Sequence, residues 1–196
     1  VTQVVTVDTL APVSIPTIIK YHDDSGERIG DFGSGTITDD TNPVFMGSLT
    51  NPLADGEIIQ VYRNGILVGS GTMTGATTWT FTDSGLLNGS YSYIAKVVDK
   101  SGNITSSSGF ELVVDTTIPT TTALINPQTT ADTTPVISGS IDGALEPGEY
   151  VKVVINGKVY TSEGTNGAVV LDPLNHTWYI QIPDTDLLGI NTSDVT

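Results

Sequence analysis

The sequence predicts an all-β protein: two tandem β-sandwich domains, the second lacking its last strands within this chain. Three observations carry that expectation. Short runs of β-branched and aromatic residues recur between turns rich in Gly, Pro, Asn and Thr, and no segment shows a convincing 3.6-residue apolar period. One stretch repeats without a gap at a constant shift of 92: "DDTNPVFMGSLTNPLADGEIIQVYRNGILV" (39–68) lies over "ADTTPVISGSIDGALEPGEYVKVVINGKVY" (131–160). An apolar run closed by Asp-Thr-x-x-Pro occurs at Asp8 and again, 107 residues later, at Asp115.

Taken in order, residues 1–8 read as the end strand of a preceding repeat or linker. Residues 9–115 form a first domain, and 116–196 a second that is incomplete at its C-terminus. In the first, "PVFMGSL" (43–49) opens on a proline, which a strand tolerates at its first position. "IIQVYRNGILV" (58–68) is two apolar runs about Asn64-Gly65, the strongest short hairpin signal. "TWTFT" (78–82) alternates, placing Trp79 and Phe81 on one face as core plugs. "GSYSYIAKVVD" (89–99) and "SGFELVVD" (108–115) supply two further strands. In the second copy "PVISGSI", "VKVVINGKVY" and "TWYIQI" repeat the first three signals, and Trp178 answers Trp79. About seven strands in roughly 100 residues is the pattern of an immunoglobulin-like sandwich. The copies differ in two places. Pro12 and Pro43 lie 31 positions apart but Pro119 and Pro135 only 16, so copy one carries an insert, "YHDDSGERIGDFGSG". Copy two never reaches counterparts of "SYSYIAKVVDKSGN" or "SGFELVVD", which leaves open sheet edges.

Composition narrows the function. With 22 Asp and Glu against 7 Lys and Arg, the net charge is −15, which repels nucleic-acid backbones and anionic membranes. Cysteine is absent, which excludes disulfides, thiol chemistry and Cys-ligated zinc. No apolar stretch is long enough to span a bilayer, and the start has no features of a signal peptide. His22 and His176, the only histidines, fall at non-equivalent positions, and no Ser/His/Asp set recurs in order. An immunoglobulin-like sandwich also offers no cleft for a carboxylate pair to face a sugar. The expectation is a protein that is not an enzyme.

The ordered elements resemble a family. "VDTLAP" (7–12), "DDSG" (23–26), "ITDDTNPVFMGS" (37–48), "NGILVGSG" (64–71), "TWTFT" (78–82), "LLNGSYSYIAKVVDKSGN" (86–103) and "VVDTTIP" (113–119) together resemble the bacterial Ig-like repeats of giant adhesins and biofilm-associated surface proteins. The resemblance covers essentially the whole chain. It implies export by type I secretion, a place at the bacterial cell surface, and Ca2+ bound within or between repeats. Because the insert is missing from copy two, calcium chemistry assigned to it does not transfer there.

On an immunoglobulin-like layout the carboxylates gather at strand ends. Asp8 precedes the first domain at the end carrying its B–C and F–G loops, where Asp55 and Glu57, and Asp99 and Asn103, should lie. The corresponding group for the second domain is Asp115 with Asp142, Glu146 and Glu149. A third group, Asp23, Asp24, Asp39 and Asp40, flanks the first A–B connection at the opposite end. Locally, an aspartate in such a turn makes an Asx turn. As a set, like charges packed together without Lys or Arg nearby favour a divalent cation, and calcium's six to eight oxygen ligands suit these groups. The functional expectation is a structural, calcium-rigidified spacer of a large surface adhesin that mediates attachment to host cells or biofilm. Its partners would be adjacent Ig-like repeats and, through a distal tip, a host glycan or protein. The alternatives are a ligand-binding Ig-like module, for which the insert with Tyr21, Arg28 and Phe32 is the best motive, and an accessory domain of a secreted carbohydrate-active enzyme. The four Asn-x-Ser/Thr sequons, at Asn88, Asn103, Asn175 and Asn191, reflect composition.

Overall fold

The computed structural model describes residues 5–163 and 168–183. All of the regular structure among them is β, and the contacts divide the chain into two units, Val1–Thr117 and Ile118–Thr196. Residues 1–4 of the expected leading strand and the segment "DTDLLGINTSDVT" lie outside the described residues.

The first unit is a two-sheet sandwich. One sheet has the order β2-β1-β4-β8-β7, built from β1 (Pro16–Asp23), β2 (Gly30–Phe32), β4 (Val44–Leu49), β7 (Thr72–Met73) and β8 (Thr78–Thr82). The other runs β3-β11-β9-β5-β6, with β3 (Thr36–Thr38), β5 (Ile58–Arg63), β6 (Ile66–Ser70), β9 (Gly89–Val98) and β11 (Phe110–Val114). A short β10 (Ile104–Ser106) pairs with β9. Alternation decides which side chains meet between the sheets: Trp79 and Phe81 from β8, Tyr93, Ala95 and Val97 from β9, and Phe110, Leu112 and Val114 from β11 are all buried. Phe45 stands at the centre, 4.3 Å from the Tyr93 ring and edge-on to Phe110.

The insert proves to be a lengthening of the first strand. Tyr21, His22 and Asp23 continue β1 and pair with Phe32, Asp31 and Gly30 of β2, and the chain then crosses to the other sheet as β3. There β3 runs parallel to β11, with Leu112, Val113 and Val114 opposite Thr36, Ile37 and Thr38.

The second unit repeats the scheme. β12 (Ala123–Ile125), β13 (Val136–Ile141), β17 (Thr177–Gln181) and β16 (Val169–Asp172) form one sheet, and β14 (Lys152–Ile155) and β15 (Lys158–Thr161) a hairpin. Its core gathers Ile141, Val151, Val153, Tyr160, Trp178 and Ile180. Both Asn-Gly turns have the backbone that the pair predicts, with φ of 51° and 82° at Asn64-Gly65 and 51° and 77° at Asn156-Gly157.

The repeated Gly-Ser after the third strand position has a packing reason. Gly47 sits opposite Trp79 across β4 and β8, and a methyl group there would lie 2.2 Å from the indole and 2.5 Å from the Thr17 carbonyl. Gly139 stands in the same relation to Trp178 and to the Leu124 carbonyl. Each tryptophan therefore requires a glycine beneath it.

Candidate functional site

At the end where the chain enters the first unit, the Asp8 segment is tied to the loop between β9 and β10. The Asn103 amide donates to the Asp8 carbonyl (3.2 Å) and to Asp99 Oδ2 (2.9 Å), and the Ser101 hydroxyl reaches Asp8 Oδ2 at 3.4 Å. Asp99 in turn accepts the backbone N–H of Ser101 and Asn103, each at 2.8 Å. The Asn103 amide, followed by those backbone donors, holds the Asp99 carboxyl below the ordinary carboxylate range. A few residues on, Thr105 donates to the Pro12 carbonyl and Ser14 to that of Asn51. Asp8, Asp99 and Asn103 are thus brought together as the layout predicts.

The loop before β5 contributes differently from expectation. The Asp55 carboxylate is almost fully exposed and pairs with Lys100 at 2.6 Å, so a lysine does stand among these acids. Glu57 closes its own turn, accepting the Ala54 N–H at 2.8 Å. Glu149 does the same to Glu146 in copy two, which explains why this glutamate recurs at the shift of 92. Asp142 accepts the Thr122 N–H at 2.7 Å. Glu57 and Glu149 thus close their own turns, while Asp142 holds Thr122 and Asp55 holds Lys100, each through a carboxylate oxygen.

At the exit end the segment after β11 is gripped by Asn88. Its amide nitrogen donates to Asp115 Oδ1 (3.2 Å) and Thr117 Oγ1 (2.9 Å), while its oxygen accepts from Thr116 N (3.0 Å) and Thr116 Oγ1 (2.7 Å). Asp115 Oδ1 also accepts the Thr117 N–H at 2.9 Å, and the Thr117 contacts lower the Asp115 pKa. Asp8 makes the matching turn to Leu10 at 3.1 Å. The same bond, from the N–H two residues on, recurs at Asp23, Asp40, Asp99 and Asp132. The local reading of these aspartates as Asx-turn formers is therefore the one the geometry displays. In each of these turns the N–H engages Oδ1.

Asp23, Asp24, Asp39 and Asp40 lie where β1 ends and β3 gives way to β4. Asp23 and Asp40 are fully buried. Thr38 donates its hydroxyl to Asp23 Oδ2 at 2.5 Å, and its oxygen receives the Asp40 N–H at 3.0 Å. Burial pushes the Asp40 carboxyl up, and the nearby charges of Asp23 and Asp24 push it further. Gly26, in the left-handed region at φ 61°, leaves room for the Asp39 carboxylate, which a methyl group there would meet at 2.0 Å. The donor set is all hard oxygen, the chemistry calcium takes. Among the described residues, however, no three acidic or histidine side chains already stand in a metal-binding arrangement.

The insert does not present an aromatic platform. Tyr21 is fully buried in the core, Phe32 packs against it, and Arg28 covers the Phe32 ring at 5.0 Å. On its outer side Asp31 joins Lys20 and His22 at 2.5 and 2.8 Å, and these contacts depress the Asp31 pKa.

Two features escaped the sequence reading. Asp83, nearly buried, accepts from Arg63 and from the Tyr93 hydroxyl, each at 2.8 Å, and burial with that carboxylate pushes the Tyr93 pKa well up. Tyr91 turns its hydroxyl back to the carbonyl of Leu87 at 2.8 Å, locking the loop that leads into β9 in the manner of a tyrosine corner. The Leu-x-x-Gly-x-Tyr spacing within "LLNGSYSY" was the available signal for the second.

No curated protein sequence matches the chain. One similar solved structure comes from a 1.5-MDa bacterial ice-binding adhesin and concerns its retention at the host cell surface; it is 20% identical, with a TM-score of 0.35. A second is SGBP-B of the Bacteroides ovatus mixed-linkage glucan utilization locus, in complex with a mixed-linkage heptasaccharide, at 11% identity and a TM-score of 0.22. Each comparison covers 89% of this chain and 55% of the other, so the chain spans little more than half the length of either. The family model described as bacterial Ig-like domain matches residues 11–116, more than half of the sequence, and the protein belongs to that family.

Proposed function

We propose that this pair of domains is a spacer of a large bacterial surface adhesin, stiffened by Ca2+, and that it carries an attachment tip toward a host cell or a biofilm rather than performing chemistry. Two domains of one kind in sequence are the economy of a spacer, and each Asp-Thr-x-x-Pro segment is fastened to the first domain by side chains, through Ser101 and Asn103 at one end and Asn88 at the other.

The observation that carries the calcium reading is the buried acidic group at the turn after β1. Two buried carboxylates, Asp23 and Asp40, repel each other and the charge of Asp24, and a divalent ion would relieve that repulsion. Asp39 and Thr38 would complete the oxygen set there. At the entry end Asp8, Asp99 and Asn103 would serve, with Asp55 and Glu57 swinging in only by giving up Lys100 and the Ala54 N–H. Asp142, Glu146 and Glu149 are the corresponding proposal within the second domain, and Asp115 that at the end of the first. An ion held at the linkers would convert soft joints into stiff ones.

The test is chelation. Removing calcium with EGTA should lower the melting temperature and shorten the particle seen by small-angle X-ray scattering. Indifference of both quantities refutes the calcium-stiffened spacer.

A further inference from the structure

The two sheets of the first unit turn different surfaces outward. β8 presents Thr78, Thr80 and Thr82, an ordinary solvated face. The sheet β3-β11-β9-β5-β6 does not. With Val61, Ala95 and Val97 buried, alternation sends their neighbours out, where a sheet with one face on the core is expected to be polar. Cross-strand pairing lines those neighbours up in rows. One row joins Ile104, Val98 and Ile58, and a second, four residues along β9, joins Ile94, Tyr62 and Leu67. Lys96 and Gln60 lie between the rows and lean on Tyr62: Lys96 Nζ stands 3.9 Å from the ring centre, and the Tyr62 hydroxyl donates to Gln60 at 2.9 Å. Ile58, Leu67 and Ile104 keep 47, 49 and 45% of their surface in water, so the patch is open.

This face also escapes most of the negative charge. Of the first unit's acids only Glu111 lies on a strand of this sheet, and the others lie in loops or on β1 and β2. Glu111 accepts the Ser92 hydroxyl with Oε1 at 2.8 Å. Lys96 meets no carboxylate among the described residues. Along β9, Lys96 and Ser92 are equally far from Ile94, and Glu111 is paired with Ser92. A two-fold axis lying across the strands at Ile94 therefore sets Lys96 of one copy over Ser92 and Glu111 of another, and does so twice. The same rotation lays Ile104 and Val98 over Val113 and Ser90, and the row of Ile94, Tyr62 and Leu67 over itself.

We propose that this outer face is a self-complementary interface whose occupant is the same face of a second copy of the chain. Five strands about 4.8 Å apart, and the run from Val98 to Ser90 at about 3.3 Å per residue, give a face of roughly 19 by 27 Å. Two such faces bury on the order of 1,000 Å², the lower limit for a specific interface, so the dimer is weak in solution. Chains anchored side by side on one cell surface meet at a far higher effective concentration, where a weak contact repeated along each stalk suffices to hold them together. That consequence rests on the spacer reading; the dimer itself does not.

Sedimentation equilibrium of the full chain, at physiological salt and in EGTA to exclude ions bridging acids between copies, should show a reversible monomer–dimer equilibrium below about 1 mM. Lys96→Glu and Glu111→Lys should each raise the dissociation constant roughly tenfold or more, because each puts two like-charge pairs into the interface. General repulsion between chains of net charge −15 makes the opposite prediction for Glu111→Lys, which reduces that charge. An equimolar mixture of the two variants should recover the parent's affinity, since the heterodimer matches both pairs. Leu67→Thr should weaken the dimer with no change of charge, and circular dichroism checks the fold of every variant. A chain that stays monomeric throughout overturns the inference and leaves the face to an unlike partner. A dimer that Glu111→Lys strengthens or leaves unchanged, or that mixing fails to restore, overturns it too. If the charge variants do not fold, an unaltered dissociation constant for Leu67→Thr does the same. A monomer whose melting temperature still falls in EGTA, and whose particle still shortens, removes the interface and leaves the spacer standing.

Discussion

Replacing Gly47 by alanine tests the packing logic that both copies share. A methyl at this position would lie 2.2 Å from two carbons of the Trp79 ring and 2.5 Å from the Thr17 carbonyl oxygen. The ring is 1% exposed, and its Nε1 donates to the Ser48 carbonyl at 3.2 Å, so it can turn away only by leaving that bond. The carbonyl belongs to the β1 backbone and can yield only by parting β1 from β4. Inserting a methylene-sized group into a packed core costs about 1–3 kcal/mol, and a contact with backbone on one side and a buried ring on the other belongs at the upper end. For a domain of this size about 3 kcal/mol corresponds to a fall in melting temperature of more than 10 °C, at roughly 4–8 °C per kcal/mol. Differential scanning calorimetry of the full chain should show the first domain's transition moving down by that amount. Gly33→Ala, where a methyl meets nothing within 4 Å, should leave it in place. A Gly47→Ala transition within 2 °C of the parent would refute the argument that the tryptophan dictates the glycine.

Tyr91→Phe removes the hydroxyl bonded to both backbone groups of Leu87 and should cost about 1–2 kcal/mol in urea unfolding, with no change in slope. Asp83→Ala leaves the Tyr93 hydroxyl and Arg63 without their shared acceptor and should cost about 3 kcal/mol in the same assay. Asp40 binds its proton more tightly folded than unfolded, so without metal its contribution favours the fold at low pH and is lost as pH rises through its elevated pKa. Asp40→Asn should therefore raise the melting temperature at pH 7 in EGTA and reduce the gain on adding calcium; a lower melting temperature in EGTA contradicts the first part. Asp99 and Asp115 have the opposite sign. Their depressed values make a contribution present above the ordinary carboxylate range and lost as pH falls through the folded values, so Asp115→Asn should flatten the acid limb of the stability profile.

Period-two alternation, the Asn-Gly pairs and the gapless shift of 92 were enough to determine an all-β, duplicated chain, because strand pattern and hairpin turns are local consequences of residue type. Trp79 and Trp178 were legible as core for the same reason. What each aspartate does was not legible, since an Asx turn and an ion ligand call for the same residue at the same strand end. Only the folded chain shows Asp8, Asp115 and their kin bonded to the N–H two positions on, Glu57 closing its own turn, and Lys100 standing beside Asp55. The place of the insert's aromatics was open for a related reason: Tyr21 and Phe32 suit an exposed surface or a packed hairpin alike, and the choice is made by β1 continuing far enough to put Tyr21 beside Phe45 and Phe110. Asn88 gave no signal at all, because its four bonds reach residues nearly thirty positions away that only the pairing of β9 with β11 brings alongside. Local periodicity writes the strands, whereas partners distant in the chain decide what the polar side chains at their ends hold.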